Sequence, residues 1–323
     1  MEFNLSGLGK RQKALMEKDV KVLVLGAGPA GMTAALYAAR AELEPIVLTG
    51  MQLGGQAAIT HTIENYPGFP EGVGGSEIGD LFQKQAERFG AKFEYGSVTE
   101  VDLTKRPFKI TADNATVYFA HTLIISTGAD SIHLQVPGEA ELTGKGVSYC
   151  ATCDGWFFKN KKVIVVGGGD SALEEAIFLT RFASSVTIIH RRDALRAGAI
   201  LQNRAKENPK INFVWNTVVT QIVGEEKVSA VKTRNVLTGE TGQIDTDGVF
   251  IFIGHTPNSS LFKGQLTLDT NGFIVVDRQM QTNIAGVFAA GEVADPHFRQ
   301  VITSAGMGAS AAIQATRFLE ANN

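Results

Sequence analysis

Two cysteines are the whole thiol complement of this 323-residue chain, and they stand together in Cys150-Ala151-Thr152-Cys153-Asp154. A structural zinc site needs four side-chain ligands. No third thiol exists, and the six histidines are scattered without metal-ligand spacing. No metal is expected. The pattern suits the opening and closing of a disulfide, because CxxC spacing lowers one thiol's pKa and raises the reactive thiolate fraction. Asp154 has two readings on residue type alone. It is either a proton donor and acceptor for a leaving thiolate or a turn residue in Asp-Gly.

A dithiol needs an electron source, and a nucleotide loop stands on each side of it. Lys21-Val22-Leu23-Val24-Leu25 reads as a strand and runs straight into Gly26-Ala27-Gly28-Pro29-Ala30-Gly31. A helical stretch from Met32 to Arg40 and a second strand from Glu44 to Thr49 follow. Gly26 permits the tight turn, Gly28 lets backbone approach a pyrophosphate, and Gly31 allows close helix–strand packing. The helix N-terminus then faces the phosphates. The second strand ends in Thr49-Gly50-Met51 instead of the ribose-binding acid, so a ribose contact falls to a hydroxyl or to backbone.

The same unit returns later. Lys162 to Val166 leads into Gly167-Gly168-Gly169-Asp170-Ser171-Ala172, then a helix from Leu173 to Phe182 and a strand from Val186 to Ile189. His190-Arg191-Arg192 and Arg196 come next, where an NAD-specific site carries an acid. A positive cluster there matches the 2′-phosphate of NADP, which guanidinium pairs with in a bidentate way. The competing reading is a solvated basic face.

Three more strands stop at glycine, at Gly128, Gly254 and Gly291. The first two flank the second βαβ unit and read as crossings between domains, so the last third of the chain returns to complete the first. The expected fold is α/β, with two Rossmann-like, three-layer (ββα) nucleotide-binding domains, the second inserted into the first. The boundaries read as a lead-in over 1–20, frayed or weakly helical, and a flavin-type domain over 21–127 and 254–323. The inserted domain, over 128–253, carries the CxxC.

Composition narrows the partners. A net charge of −3 implies neither nucleic acid nor an anionic membrane, and no apolar run is long enough to span a bilayer. The 35 glycines fall largely in clusters, where backbone must pass close to something. The first twenty residues lack the apolar segment of a secretory signal. The expected compartment is therefore the cytoplasm, where a disulfide is more often catalytic than structural.

Over about Lys21 to Leu319 the chain resembles bacterial-type low-molecular-weight thioredoxin reductases. The residues that carry the resemblance are GAGPAG at 26–31, GGQ at 54–56, ENYPGFP at 64–70, CATCDG at 150–155, GGGDSALEEA at 167–176, HRRDALRA at 190–197 and RQVITSAGMG at 299–308. The resemblance implies a homodimeric flavoprotein that passes electrons from NADPH through FAD and the dithiol to the disulfide of thioredoxin. By motif position it implies FAD binding by Gly26, Gly28, Pro29, Ala30, Gly31, Gln56, Asn65, Arg299, Gln300 and Val301. It implies NADPH binding by Ser171, His190, Arg191, Arg192 and Arg196. Thr127, Gly128, Gly167, Gly169, Asp170, Gly291 and Glu292 complete the expected cofactor contacts.

Cys153 would face the flavin, Cys150 would attack the acceptor disulfide, and Asp154 would manage the protons. Nicotinamide and dithiol would take turns at one flavin, with Gly128 and Gly254 as the turning points. Two departures stand out: Gly291-Glu292 replaces the family's Gly-Asp against the ribityl chain, and Asp170 replaces a neutral residue near the NADPH phosphates. Competing functions are a flavin disulfide reductase serving a peroxiredoxin or other thioredoxin-like protein, and a non-enzymatic flavin redox sensor.

Overall fold

A computed structural model describes residues 15–50, 52–60 and 62–322. The chain forms two compact units. One comprises Met1–Ala58, Gly75–Ala129 and Pro257–Asn323, and the other Ile59–Gly74 and Asp130–Thr256.

The first unit is built on strands β1 (Met16–Leu25), β2 (Ile46–Leu48), β3 (Lys92–Glu94), β4 (Val98–Asp102), β5 (Phe108–Ala112), β6 (Thr116–Ile125) and β17 (Val287–Ala289). Their order is β3-β2-β1-β6-β5-β4. The first half of β6 pairs antiparallel with β5 and its last residues pair parallel with β17, so the C-terminal third completes the sheet. Side chains alternate across β1. Leu23 and Leu25 join one apolar layer with Val101, Phe108, Ile110 and Tyr118, which places β4 and β5 over that face. Val22 and Val24 join the other layer, with alanines of helices α1 (Pro29–Arg40) and α6 (Val301–Asn322). A strand covered on both faces has to be apolar on both, hence the continuous run Val22 to Leu25. Helix α2 (Gly75–Glu87) packs against α1.

Two sequence expectations shift here. The lead-in over residues 1–20 is strand from Met16 onward, and residues 1–14 lie outside the described residues. Met16–Val20 has no apolar run to announce it. Parallel pairing with Thr116–Ala120 holds it extended, and Lys18 Nζ bonds Glu94 Oε1 at 2.6 Å. Helix α1 starts at Pro29, within the glycine loop, because Gly28 is its N-cap and proline suits the first helical position.

The second unit carries a parallel sheet of β8 (Val147–Ser148), β9 (Lys162–Gly167), β10 (Ser185–Ile189), β11 (Ile211–Val214) and β15 (Gly248–Phe252), in the order β11-β10-β9-β15-β8. Val163, Val165 and Phe250 face an apolar layer with helix α4 (Asp170–Leu179) and Ala205 of helix α5 (Ala199–Glu207). Ile164, Val166 and Ile251 face Val219, Ile222 and Val231 of an antiparallel three-stranded sheet, β12 (Thr217–Gly224), β13 (Val228–Asn235) and β14 (Thr241–Asp245). These are the expected three layers. The short strands β7 (Ala129–Ser131) and β16 (His255–Pro257) pair with each other where the chain enters and leaves this unit.

Candidate active site

Cys150 and Cys153 form a disulfide with their Cα atoms 5.3 Å apart. The four-residue helix α3 (Ala151–Asp154) starts between them, with Cys150 as its N-cap and the Cys153 amide donating to Cys150 Sγ at 3.2 Å. Both cysteines are partly buried and Thr152 between them is exposed. Asp154 closes the turn: its amide donates to the Cys150 carbonyl at 3.2 Å, and its Oδ2 lies 2.6 Å from the Ser148 hydroxyl. Burial holds the Asp154 carboxyl above its ordinary range, and the Ser148 hydrogen bond only partly offsets that. A carboxyl so placed can carry a proton beside the thiols. Asp154 therefore ends the turn and also holds a largely buried carboxyl next to the CxxC in sequence.

Sheet register places this dithiol relative to the second glycine loop. Ser148 pairs with Phe250, and Phe250 pairs with Val165. Cys150 and Gly167 each follow two residues later, at the carboxyl edge of strands that flank β15. Two inter-strand spacings, about 10 Å, separate the strands that deliver them. In an open parallel sheet this edge is where ligands bind, at the point where strand order reverses. Here that point lies between β9 and β15.

The loop itself is tied together. Gly169 caps α4, and a Cβ on Gly168 would run into the His190 ring. The Arg196 and Ala197 amides donate to the Gly168 carbonyl at 2.8 and 3.2 Å. Asp170 Oδ1 accepts from the Gly198 amide at 2.7 Å, so the residue that departs from the family pattern pins the arginine loop to α4. Ser171, Arg191, Arg192 and Arg196 are exposed. His190 differs: it is buried, its Nε2 lies 3.1 Å from the Ala194 carbonyl, and burial lowers its pKa with help from Arg191 and Arg192. The positive charge expected over 190–192 therefore sits on the two arginines, with Arg196 beside them, while the histidine props the loop from beneath.

In the first unit, Leu25, Ile125 and Ala289 share one register level. The residues after them (Gly26 to Gly31, Thr127-Gly128, Gly291-Glu292) thus leave one carboxyl edge together. Gly26 has φ +102°, and a Cβ on Gly31 would run into the Gly26 carbonyl oxygen. The Ser126 hydroxyl donates to that same oxygen at 3.0 Å. The Gly54 amide donates to the Ala27 carbonyl at 2.9 Å, bringing the Gly54-Gly55-Gln56 turn against the loop. A Cβ on Gly291 would lie 2.9 Å from the Ala30 side chain. Such a cradle, bare of side chains at the head of α1, fits the diphosphate of a dinucleotide.

Thr127 and Asn258 bond each other, with Thr127 Oγ1 donating to the Asn258 carbonyl at 2.7 Å. Arg299, with φ +50°, and Gln300 precede Val301, the first residue of α6. Asn65 lies in Ile59–Gly74, a segment of the second unit. Thr49, the hydroxyl considered for a ribose, is buried and donates to the Gly50 carbonyl at 3.1 Å. Met51 lies outside the described residues.

Sequence reasoning missed Ser148 and Asp295. The Asp295 carboxylate accepts from the amides of His297, Phe298 and Arg299 at 2.9, 3.0 and 3.2 Å and so shapes the approach to α6. Asp-Pro before a glycine-poor turn was its only signal; Ser148 had none beyond its place two residues before the CxxC. Among the described residues no group of acidic, histidine or cysteine side chains could hold a metal ion, and no helix is long and apolar enough to cross a membrane.

Known proteins agree with this construction. The family model for pyridine nucleotide-disulphide oxidoreductases matches residues 20–309. The thioredoxin reductase of Streptomyces coelicolor is 50% identical over 306 residues, covering 94% of this chain and 95% of that protein. That of Rickettsia bellii is 51% identical over 308 residues, covering 94% and 99%. Among solved structures, the thioredoxin reductase of Streptococcus pyogenes superposes with a TM-score of 0.89 at 44% identity, covering 94% of this chain and 99% of that one. A match along nearly the whole length, through both glycine loops and the CxxC between them, shows that the chain belongs to the pyridine nucleotide-disulphide oxidoreductases, among the thioredoxin reductases.

Proposed function

We propose that this chain reduces the disulfide of a thioredoxin with electrons from NADPH, Cys150 being the thiol that attacks and Cys153 the one that closes the cycle. The observation that carries this is the Cys150–Cys153 disulfide, delivered by one sheet edge together with the second glycine loop. FAD, when bound, would supply the two-electron relay between a reduced nicotinamide and the disulfide. Gly26 to Gly31, Gln56, Thr127, Gly128, Gly291, Glu292 and Arg299 to Val301 would hold it. Gly167, Gly169, Asp170 and Ser171 would line the NADPH diphosphate, and Arg191, Arg192 and Arg196 its 2′-phosphate. His190 contributes by supporting Gly168. By its motif position, Asn65 would be a further flavin contact.

The chain's own chemistry is thiol exchange. Asp154 takes the proton of the Cys150 thiol, and the Cys150 thiolate attacks one sulfur of the acceptor disulfide. A mixed disulfide forms and the second acceptor sulfur leaves as thiolate, which takes the proton back from Asp154. Asp154 next takes the proton of the Cys153 thiol; the Cys153 thiolate attacks Cys150 Sγ and re-forms the internal disulfide, and the first acceptor sulfur leaves as thiolate and takes that proton, releasing the reduced acceptor. Two electrons leave the dithiol and two thiols appear on the acceptor. The protein would work as a cytoplasmic homodimer, the compartment supported by a redox-active disulfide's need for reducing surroundings.

The test is steady-state reduction of thioredoxin and a panel of other small redox proteins with NADPH and NADH in parallel, for the wild type and Cys150→Ser. The wild type turns over on thioredoxin with NADPH at least tenfold faster than with NADH, the order expected from charge-assisted phosphate contacts. Cys150→Ser keeps NADPH-driven bleaching of the flavin and loses disulfide reduction. Full thioredoxin turnover by that variant would sink the scheme, and preference for another acceptor would redirect it to a peroxiredoxin-type partner.

A further inference from the structure

Ser148 ends β8 facing the helix layer, since its register partner Phe250 belongs to the apolar cluster that includes Ala151 and Leu173. It is 4% exposed. A hydroxyl is costly there unless bonded, and alanine would serve packing alone. Its oxygen accepts from the Cys150 amide at 3.1 Å. Its hydrogen has two acceptors in reach, Asp154 Oδ2 at 2.6 Å and the Cys150 carbonyl at 3.2 Å. One hydrogen cannot serve both. That carbonyl also accepts the Asp154 amide, the bond that closes the CxxC turn.

The triangle therefore has two fully bonded forms. With Asp154 ionised, Ser148 donates to Oδ2. With Asp154 protonated, Oδ2–H donates to Ser148 Oγ, and Ser148 turns its hydrogen to the Cys150 carbonyl. The Cys150 amide stays bonded in both.

We propose that Ser148 is a positioning residue of thiol exchange, seating Cys150 through its backbone and turning its hydroxyl as the Asp154 proton comes and goes. This rests on the reading that Asp154 handles that proton. When Asp154 protonates a departing thiolate, the sulfur gains the proton and the carboxylate oxygen keeps the bonding pair. Ser148 then returns its hydrogen to Oδ2, and no electrons change hands in that step.

The experiment uses the full-length, flavin-loaded enzyme with NADPH and oxidised thioredoxin. Ser148→Ala, Ser148→Thr, Asp154→Ala and the Ser148→Ala/Asp154→Ala double variant are compared. Ser148→Ala lowers kcat about tenfold, as loss of a hydrogen bond to a charged group would, while the NADPH-driven bleaching rate stays unchanged. Threonine restores kcat to within about threefold. In the Asp154→Ala background the Ser148→Ala loss shrinks below about threefold, because the partners act as one unit. In difference infrared spectra, the carboxyl band of protonated Asp154 shifts in Ser148→Ala. An equal loss in both backgrounds, or an unmoved band, overturns the Ser148 assignment alone. An Asp154→Ala variant as fast as the wild type overturns the proton reading and the proposal with it.

Discussion

At the scale of single residues, folding disfavours the ionised form of Asp154. The folded carboxyl keeps its proton to higher pH than the ordinary 3.8, chiefly because burial penalises the charge. As pH rises from below 3.8 through the raised folded value, the unfolded chain gives up its proton first, so stability falls across that window. Asp154→Asn removes the titration. In the oxidised enzyme it should melt higher than the wild type at about pH 7, and the gain should vanish below the ordinary carboxylate pKa. Thermal melts at both ends of that range measure it, and a difference independent of pH would contradict it. Glu94 shows the opposite balance. Burial pushes its pKa up, yet hydrogen bonds from Lys18 and Tyr118 and the charges of Lys18 and Lys92 bring it below its usual value. Burial first, and then the hydrogen bond and charge of Glu94, push Tyr118 up to about 12. The thiol pair and arginines were legible as residues because their chemistry is specific to type and spacing. Ser148 and His190 were not, since a serine's bonds and a histidine's burial depend on what folding brings beside them.

Elements explain why sites so far apart in sequence work together. In the first unit, Gly26 to Gly31, Thr127-Gly128 and Gly291-Glu292 leave strands at one carboxyl edge, and the Gly54-Gly55 turn lies against the first of these loops. The tightest point is Gly31, whose missing Cβ makes room for the Gly26 carbonyl. In Gly31→Ala the α1 N-terminus must move away from β1. The expected result is purified protein with flavin absorbance reduced several-fold per chain and a far-ultraviolet circular dichroism spectrum near wild type. Full flavin occupancy would show that the cradle tolerates the shift. The helix and strand cores were readable from apolar runs, while their ends were less so. Helix α4 spans Asp170–Leu179, three residues earlier at each end than the Leu173 to Phe182 reading. Gly169 caps its start, and at its end the Thr180 hydroxyl turns back to the Ile177 carbonyl.

For the whole molecule, both units are assembled from separated chain segments, the second from two and the first from three. Large apolar side chains remain exposed on the first unit's surface, Tyr37, Leu81 and Phe89 among them. With a 34.5 kDa chain, the homodimer reading requires a particle of about twice that mass. Sedimentation equilibrium at micromolar concentration measures it, and a monomer there would refute the dimer.

Read in linear order, the chain specifies the chemistry and the plan: a dithiol without metal ligands, two strand–glycine–helix loops and a basic cluster after the second. Those depend on residue type and local spacing, which the chain carries in linear form. Folding in three dimensions is what brings Cys150 and Gly167 to one sheet edge, sets His190 beneath its loop, and joins Asp154 to the Cys150 backbone through Ser148. These are consequences of strand register and burial. Both arise from pairings between residues distant in the chain, such as Ser148 with Phe250 and Phe250 with Val165, and linear spacing carries no trace of them.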